Sequence, residues 1–200
     1  MIRYIVGSII MLEAVFLMLP ALTAVIYQEL HCILVFLGSA VFCLAAGALL
    51  RGKKPENTTI FSAEGYVSVA FCWVALSLCG AIPLYFSGSF PNPVDALFEI
   101  VSGFTTTGSS VLLDVESVHR AVLMWRSFSH WVGGMGVLVF LLAVIPLSGG
   151  SHINLMRAES PGPSVGKLVP RMMHTARILY VIYLGMTVIL FVLLVCGKMS

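Results

Sequence analysis

Four stretches of this sequence, residues 4–27, 32–50, 65–87 and 175–196, run almost wholly apolar over lengths that match a lipid bilayer. A helix crosses the hydrocarbon core with about 20 apolar residues. Inside that core only helices and closed barrels satisfy their own backbone, so irregular backbone must be covered by protein or face a water-filled path. These constraints make the chain an all-α polytopic membrane protein. Composition agrees, with 59% hydrophobic and 10% charged residues, against about 25% charge in a soluble domain. The net charge of +2 is too small to argue for a nucleic-acid partner. The first stretch is too long for a signal-peptide core and lacks a small-x-small cleavage site, so it reads as a mature membrane helix. The five cysteines, Cys32, Cys43, Cys72, Cys79 and Cys196, form no CxxC pair and have no histidine cluster nearby in sequence, so they read as packing residues.

Between the third and last stretches the pattern changes. Residues 94–104 (VDALFEIVSGF) have helical apolar spacing but only half a span of length, roughly 16 Å at 1.5 Å per residue. The hydroxyl-rich run FTTTGSS follows at 104–110, then a long apolar stretch at 119–147 with Arg126 and His130 near its start and Pro146 at its end. The centre thus reads as span, half-helix, hydroxyl loop, span.

Loop charges orient the chain. Arg3, Arg51, Lys53, Lys54, Arg157, Lys167, Arg171 and Arg177 fall on one side of this topology. Glu29, Asp95, Glu99, Asp114 and Glu116 fall on the other, with Arg120 and Lys198 as basic exceptions. The positive-inside rule then makes the amino terminus and loops 51–64 and 148–174 cytoplasmic, and the outer mouth acidic. On that side Asn57-Thr58-Thr59 is a silent sequon, and GPSVGK at 162–167 is one residue short of a phosphate loop and lacks its Ser or Thr.

A half-helix that re-enters the membrane and ends in Thr-Thr-Thr-Gly-Ser-Ser must find partners for its carbonyls. An ion-selectivity filter is one solution, in which an extended strand turns successive carbonyls inward to replace an ion's hydration shell. Thr105, Thr106 and Thr107 add hydroxyls and stiffness, Gly108 permits backbone angles closed to other residues, and Ser109 and Ser110 continue the strand. The half-helix directs its carboxyl end, the negative pole of its dipole, toward the membrane interior, which selects a cation.

Other residues support this reading or stay structural. Asp95 and Glu99 lie near the outer mouth, where they can concentrate cations, Asp95 doubling as a cap for the half-helix. Arg126 and His130 lie four apart on one helical face at a depth where ionisable groups are often functional; the expected role of Arg126 is support, snorkelling outward or binding carbonyls behind the filter. Gly133, Gly134 and Gly136 allow close packing of this helix or a bend behind the filter. Glu13, mid-span in the first helix, is expected to be protonated or hydrogen-bonded at a helix interface, a coupling-proton site being the other reading. Pro20 and Pro83 should kink or end their helices. Trp73, Trp125 and Trp131 read as packing or interface anchors. An enzyme is not indicated, because Ser129 and His130 are neighbours on a helix and face different ways.

The run DALFEIVSGFTTTGSSVL resembles the pore loop of the Trk/Ktr/HKT superfamily of potassium transporters. WRSFSHWVGGMGVLVFLLAVIPL is similar to the helix that follows it in TrkH/TrkG-like pore subunits, and RAESPGPSVGKLVPR with TARILYVIYLGMTVIL to the next loop and helix. With FSAEGYVSVAFCWVALSLCGAIPLYFSGS included, the resemblance covers nearly the whole chain. It implies four membrane–pore–membrane repeats in one chain, each giving one filter strand. It places potassium at Thr106 and Thr107 with Thr105 and Gly108 beside them, and it puts Ser110 where potassium channels carry the second glycine of TVGYG. It also implies no organic cofactor, a cytoplasmic nucleotide-binding regulator of the TrkA kind, and a homodimer of the full-length pore protein in the bacterial cytoplasmic membrane.

The expected organisation is a transmembrane hairpin at 1–50, a cytoplasmic loop at 51–64, and a membrane–pore–membrane repeat at 65–147 with its filter at 105–110. A cytoplasmic loop at 148–174 and the first helix of a second, incomplete repeat at 175–200 complete it. One strand cannot surround an ion, so the sequence is read as the amino-terminal part of a longer potassium-uptake protein. The alternatives are a homotetrameric single-repeat cation channel and a non-functional fragment.

Overall fold

The computed structural model describes residues 2–52, 62–136 and 169–197. Residues 53–61 and 137–168 hold most of both loops expected to be cytoplasmic, and the second half of the 119–147 stretch with Pro146. They lie outside the described residues. Among those residues there are seven helices and no strands: α1 (Ile2–Phe16), α2 (Met18–Ile26), α3 (Leu30–Arg51), α4 (Ser62–Phe86), α5 (Pro93–Phe104), α6 (Arg120–Met135) and α7 (Val169–Cys196). Four segments are long and apolar enough to span a membrane: Ile2–Ile26, Leu30–Arg51, Glu64–Phe86 and Ile178–Cys196. They agree with the spans read from hydropathy.

Proline chemistry explains one break and leaves one helix whole. The first span is interrupted at Leu17. Pro20 cannot donate to the carbonyl four residues earlier, and its ring crowds that carbonyl, so α1 ends at Phe16. Pro83 has the same chemistry, yet α4 continues past it to Phe86.

The hairpin of α1–α2 with α3 closes through small residues. A Cβ on Gly7 would lie 2.7 Å from the Gly47 carbonyl oxygen, and one on Gly47 2.8 Å from that of Gly7, so the two backbones touch. At one end of this hairpin Arg51 donates to the Tyr4 hydroxyl at 2.8 Å and lies over its ring. At the other, His31 Nε2 lies 3.0 Å from the Phe86 carbonyl oxygen, joining the start of α3 to the end of α4.

Helix α5 sits at the centre. Asn92 and Pro93 begin it, Pro at the first position where a missing N–H costs nothing. Its twelve residues reach about 18 Å, near half the hydrocarbon thickness. Ala96, Ile100 and Phe104 are fully or almost fully buried against α4 and α6. The Phe104 ring meets Trp125 edge-on at 6.1 Å and Trp73 at 6.3 Å.

Within the span expected over 119–147, α6 runs from Arg120 to Met135. Gly136 takes φ 74°, outside the helical region, and ends α6. Over residues 178–196 helix α7 is largely exposed, and it docks on α6 through Trp131, whose Nε1 donates to Thr187 Oγ1 at 3.1 Å, and Tyr183, whose hydroxyl donates to the Trp131 carbonyl at 3.0 Å.

Candidate functional site

The site begins where α5 ends. Thr105 is the C-cap. The Thr106 N–H donates to the Gly103 carbonyl at 2.9 Å and the Thr107 N–H to that of Ser102 at 3.0 Å. This pair of bonds is the Schellman arrangement, which needs a left-handed residue at the position taken by Thr106. Thr106 has φ 56°. Glycine normally fills that position, and a β-branched residue there is a conformational outlier. The Thr105 hydroxyl donates to the Val101 carbonyl at 2.8 Å and contacts the Thr107 hydroxyl at 2.8 Å.

The sequence reading expects an extended strand from Thr105 onward. The structure differs at its start, because Thr105 (φ −83°, ψ 0°) and Thr106 still wind the end of α5. Gly108 then takes φ 77°, a conformation that glycine enters without strain. Residues 105–110 are exposed. Among the described residues no hydrogen bond is donated to the carbonyls of Thr105, Thr106, Thr107 or Gly108. These oxygens stand at the negative end of the α5 dipole. They can coordinate a cation.

A buried polar layer holds the loop from behind. The Ser102 hydroxyl donates to the Ser109 carbonyl at 2.6 Å. Glu99 Oε2 accepts the Ser110 hydroxyl and the Val111 N–H, both at 3.1 Å. Glu99 Oε1 pairs with the Arg126 guanidinium. The Glu99 side chain is wholly buried and that of Arg126 is 20% exposed. Glu99 therefore does not join an acidic outer mouth, because its charge is spent on the guanidinium and on the backbone leaving the loop. Arg126 likewise meets a carboxylate where filter carbonyls were expected. Asp95 stays half-exposed in the first turn of α5, where its charge suits the helix amino terminus. It accepts from the Asn92 side chain at 3.0 Å.

Helix α6 approaches this layer through residues too small to intrude. A Cβ on Gly133 would collide with the Phe104 carbonyl, whose carbon would be 2.8 Å away, and one on Gly103 would collide with the Ser129 hydroxyl. A Cβ on Gly134 would meet the Tyr183 hydroxyl at 2.6 Å. Close packing is thus the role these positions play here. Ser129 donates to the Arg126 carbonyl at 2.7 Å, and His130 Nδ1 lies 2.9 Å from the same oxygen, so both side chains turn onto their own helix.

Two features escaped the sequence reading. Trp125 is more than an anchor, since it is fully buried and its Nε1 donates to the Gly80 carbonyl at 3.0 Å, tying α6 to α4 behind Phe104. Glu29, in the turn before α3, accepts the Arg120 N–H at 2.8 Å and the Ala121 N–H at 3.1 Å, capping α6. Glutamate before an apolar stretch carries no signal of a cap so distant in sequence. Glu13 does lie at the expected helix interface, fully buried, but neither carboxylate oxygen has a hydrogen-bond partner among the described residues.

Residues 33–199 match the family model for TrkH, described as a cation transport protein. The Trk system potassium uptake protein TrkH of Salmonella typhimurium is 38% identical over 188 residues, covering 92% of this chain and 38% of that protein. The Trk system potassium uptake protein TrkG of Escherichia coli is 35% identical over 180 residues, covering 88% of this chain and 37% of its own length. The crystal structure of the potassium transporter TrkH from Vibrio parahaemolyticus superposes with a TM-score of 0.80 at 28% identity, over all of this chain and 40% of that one. The chain therefore spans less than half the length of the relatives it matches.

Proposed function

The chain belongs to the TrkH family of cation transport proteins, and from that premise we propose that it contributes one of four filter strands to a potassium-uptake pore. The observation that carries this reading is the backbone at 105–108, whose carbonyls accept no hydrogen bond among the described residues and stand at the negative end of a half-span helix. The side chains of Ser102 and Glu99 brace that backbone from behind through Ser109, Ser110 and Val111.

In this reading the pore needs three further strands, supplied by repeats beyond this segment. The segment itself comprises a hairpin at 1–50, a membrane–pore–membrane repeat at 65–147 and the first helix of a second repeat from 175. The positive-inside bias sets the amino terminus and the loops 51–64 and 148–174 in the cytoplasm. Potassium sheds water against the carbonyls of Thr105, Thr106, Thr107 and Gly108 and moves inward. The membrane potential assists, at about 2.3 kcal/mol per charge for 100 mV. A TrkA-like nucleotide-binding subunit docking on the basic loops, and a homodimer of the full-length protein, complete the assembly. The cell's inner membrane is its place.

The test uses the full-length protein in bacteria lacking their own potassium uptake. Gly108→Asp abolishes growth rescue at limiting potassium while membrane expression stays normal, because a side chain strains φ 77° and a carboxylate blocks the path. Normal rescue at normal expression overturns the reading.

A further inference from the structure

We propose that Glu29, Cys32 and His119 form a second cation site, specific for a thiophilic divalent ion of the Zn2+ type, where the α2–α3 turn meets the start of α6. One ligand atom from each residue, a carboxylate oxygen, a thiol sulfur and an imidazole nitrogen, lies within 4.8 Å of the other two. These are the three donor types that zinc takes, and three protein ligands with one open position is a recurrent zinc arrangement.

The spacing suits such an ion. Bonds of roughly 2.0–2.3 Å at tetrahedral angles separate neighbouring ligand atoms by about 3.3–3.8 Å. His119 Nδ1 already lies 3.5 Å from Glu29 Oε1, and Cys32 needs only a small inward movement to join them. The carboxylate is held in place. The backbone N–H groups of Arg120 and Ala121 each engage one of its oxygens, which is how coordinating carboxylates are oriented by their surroundings.

Charge and access also fit. A thiolate and a carboxylate neutralise a divalent ion, so the occupied site carries no net positive charge beside the exposed Arg120 and the positive end of α6. Binding displaces the thiol proton to solvent and keeps the His119 proton on Nε2. The His119 side chain is 47% exposed and gives an approach from water, while Cys32 is fully buried behind it. The Cys32 thiol and the His119 imidazole both turn to the Glu29 carboxylate, so an entering ion finds the three donors already gathered. Potassium, a hard ion, has no preference for this donor set.

The ion would clamp the beginning of α3 to the beginning of α6, at the end of the segment that leaves residues 105–110. The site stands on its own three ligands and does not depend on the filter assignment.

The full-length protein that carries this segment, held in lipid nanodiscs, is titrated with Cd2+ while thiolate-to-cadmium absorption is followed, then competed with Zn2+. The wild type shows a saturable component that Cys32→Ser removes and His119→Ala weakens at least tenfold, and Zn2+ displaces it. Thermal unfolding without metal confirms that both variants fold. If Cys32→Ser keeps the wild-type signal, or if His119→Ala binds as tightly as the wild type, the site is wrong. Because Glu29→Gln also disturbs the α6 cap, the other two variants decide the outcome.

Discussion

The carboxylate of Glu99, wholly buried on α5, is paired with the guanidinium of Arg126, which reaches it from α6. The same carboxylate accepts the Val111 N–H and the Ser110 hydroxyl. One residue therefore joins the half-helix, the backbone leaving the candidate filter and the helix behind it.

Breaking that pair from one side leaves a buried charge without its partner. Arg126→Gln is expected to destabilise the full-length protein by about 3–5 kcal/mol, read as a fall in thermal unfolding temperature together with lost potassium uptake. Glu99→Gln with Arg126→Gln removes both charges and recovers part of the stability. A double variant no more stable than Arg126→Gln alone would show that the charge pairing is not what matters.

Thr106→Gly relieves a left-handed β-branched residue at the end of α5. Strain of this kind costs roughly 1–3 kcal/mol, so the variant should be more stable by about 1 kcal/mol after the entropy cost of glycine. Potassium uptake should persist, because coordination is assigned to the carbonyl and not the hydroxyl. Loss of uptake with intact folding would give the hydroxyl the larger part.

Gly133→Ala places a methyl group against the Phe104 backbone, which cannot yield without moving the end of α5. Uptake should drop at least tenfold at normal membrane expression. Gly134→Ala meets only the end of the Tyr183 side chain and should leave uptake within about twofold, since a side chain shifts more cheaply than backbone. Equal effects of the two would contradict the close approach of α6 to Phe104.

Glu13→Leu removes a buried carboxyl whose oxygens have no hydrogen-bond partner among the described residues. Replacing a polar group of this kind by an apolar one of similar size is neutral or stabilising. Unfolding of the variant should occur at the wild-type temperature or above it. A clear fall would reveal a partner for Glu13 formed in the full-length protein.

The four spans, the half-length of α5 and the hydroxyl loop after it are all legible along the chain. Each depends on the local run of apolar residues, and the bilayer sets their lengths. Membership of a cation-transport family was likewise visible in contiguous motifs. The break of the first span was readable from Pro20, whereas the continuation of α4 past Pro83 to Phe86 was not, since it depends on surroundings as well as on the ring.

The partners of the buried groups could not be read this way. Arg126 is 27 residues from Glu99 in sequence, and the N–H groups capped by Glu29 are 91 and 92 residues away. Composition marks such residues as unusual in an apolar setting, but it does not say which oxygen each one reaches. The left-handed turn at Thr106 is hidden for a related reason, since local preference alone would put glycine there. The sequence by itself determined which segments enter the membrane and where regular helix gives way to exposed backbone, because hydrophobic length and residue type act locally. Only the tertiary structure decided that Glu99 faces Arg126 and not the mouth, that Thr106 bends and that Gly133 touches Phe104. Buried charges and backbone contacts are settled by which helices meet, and that geometry is a property of the packed bundle.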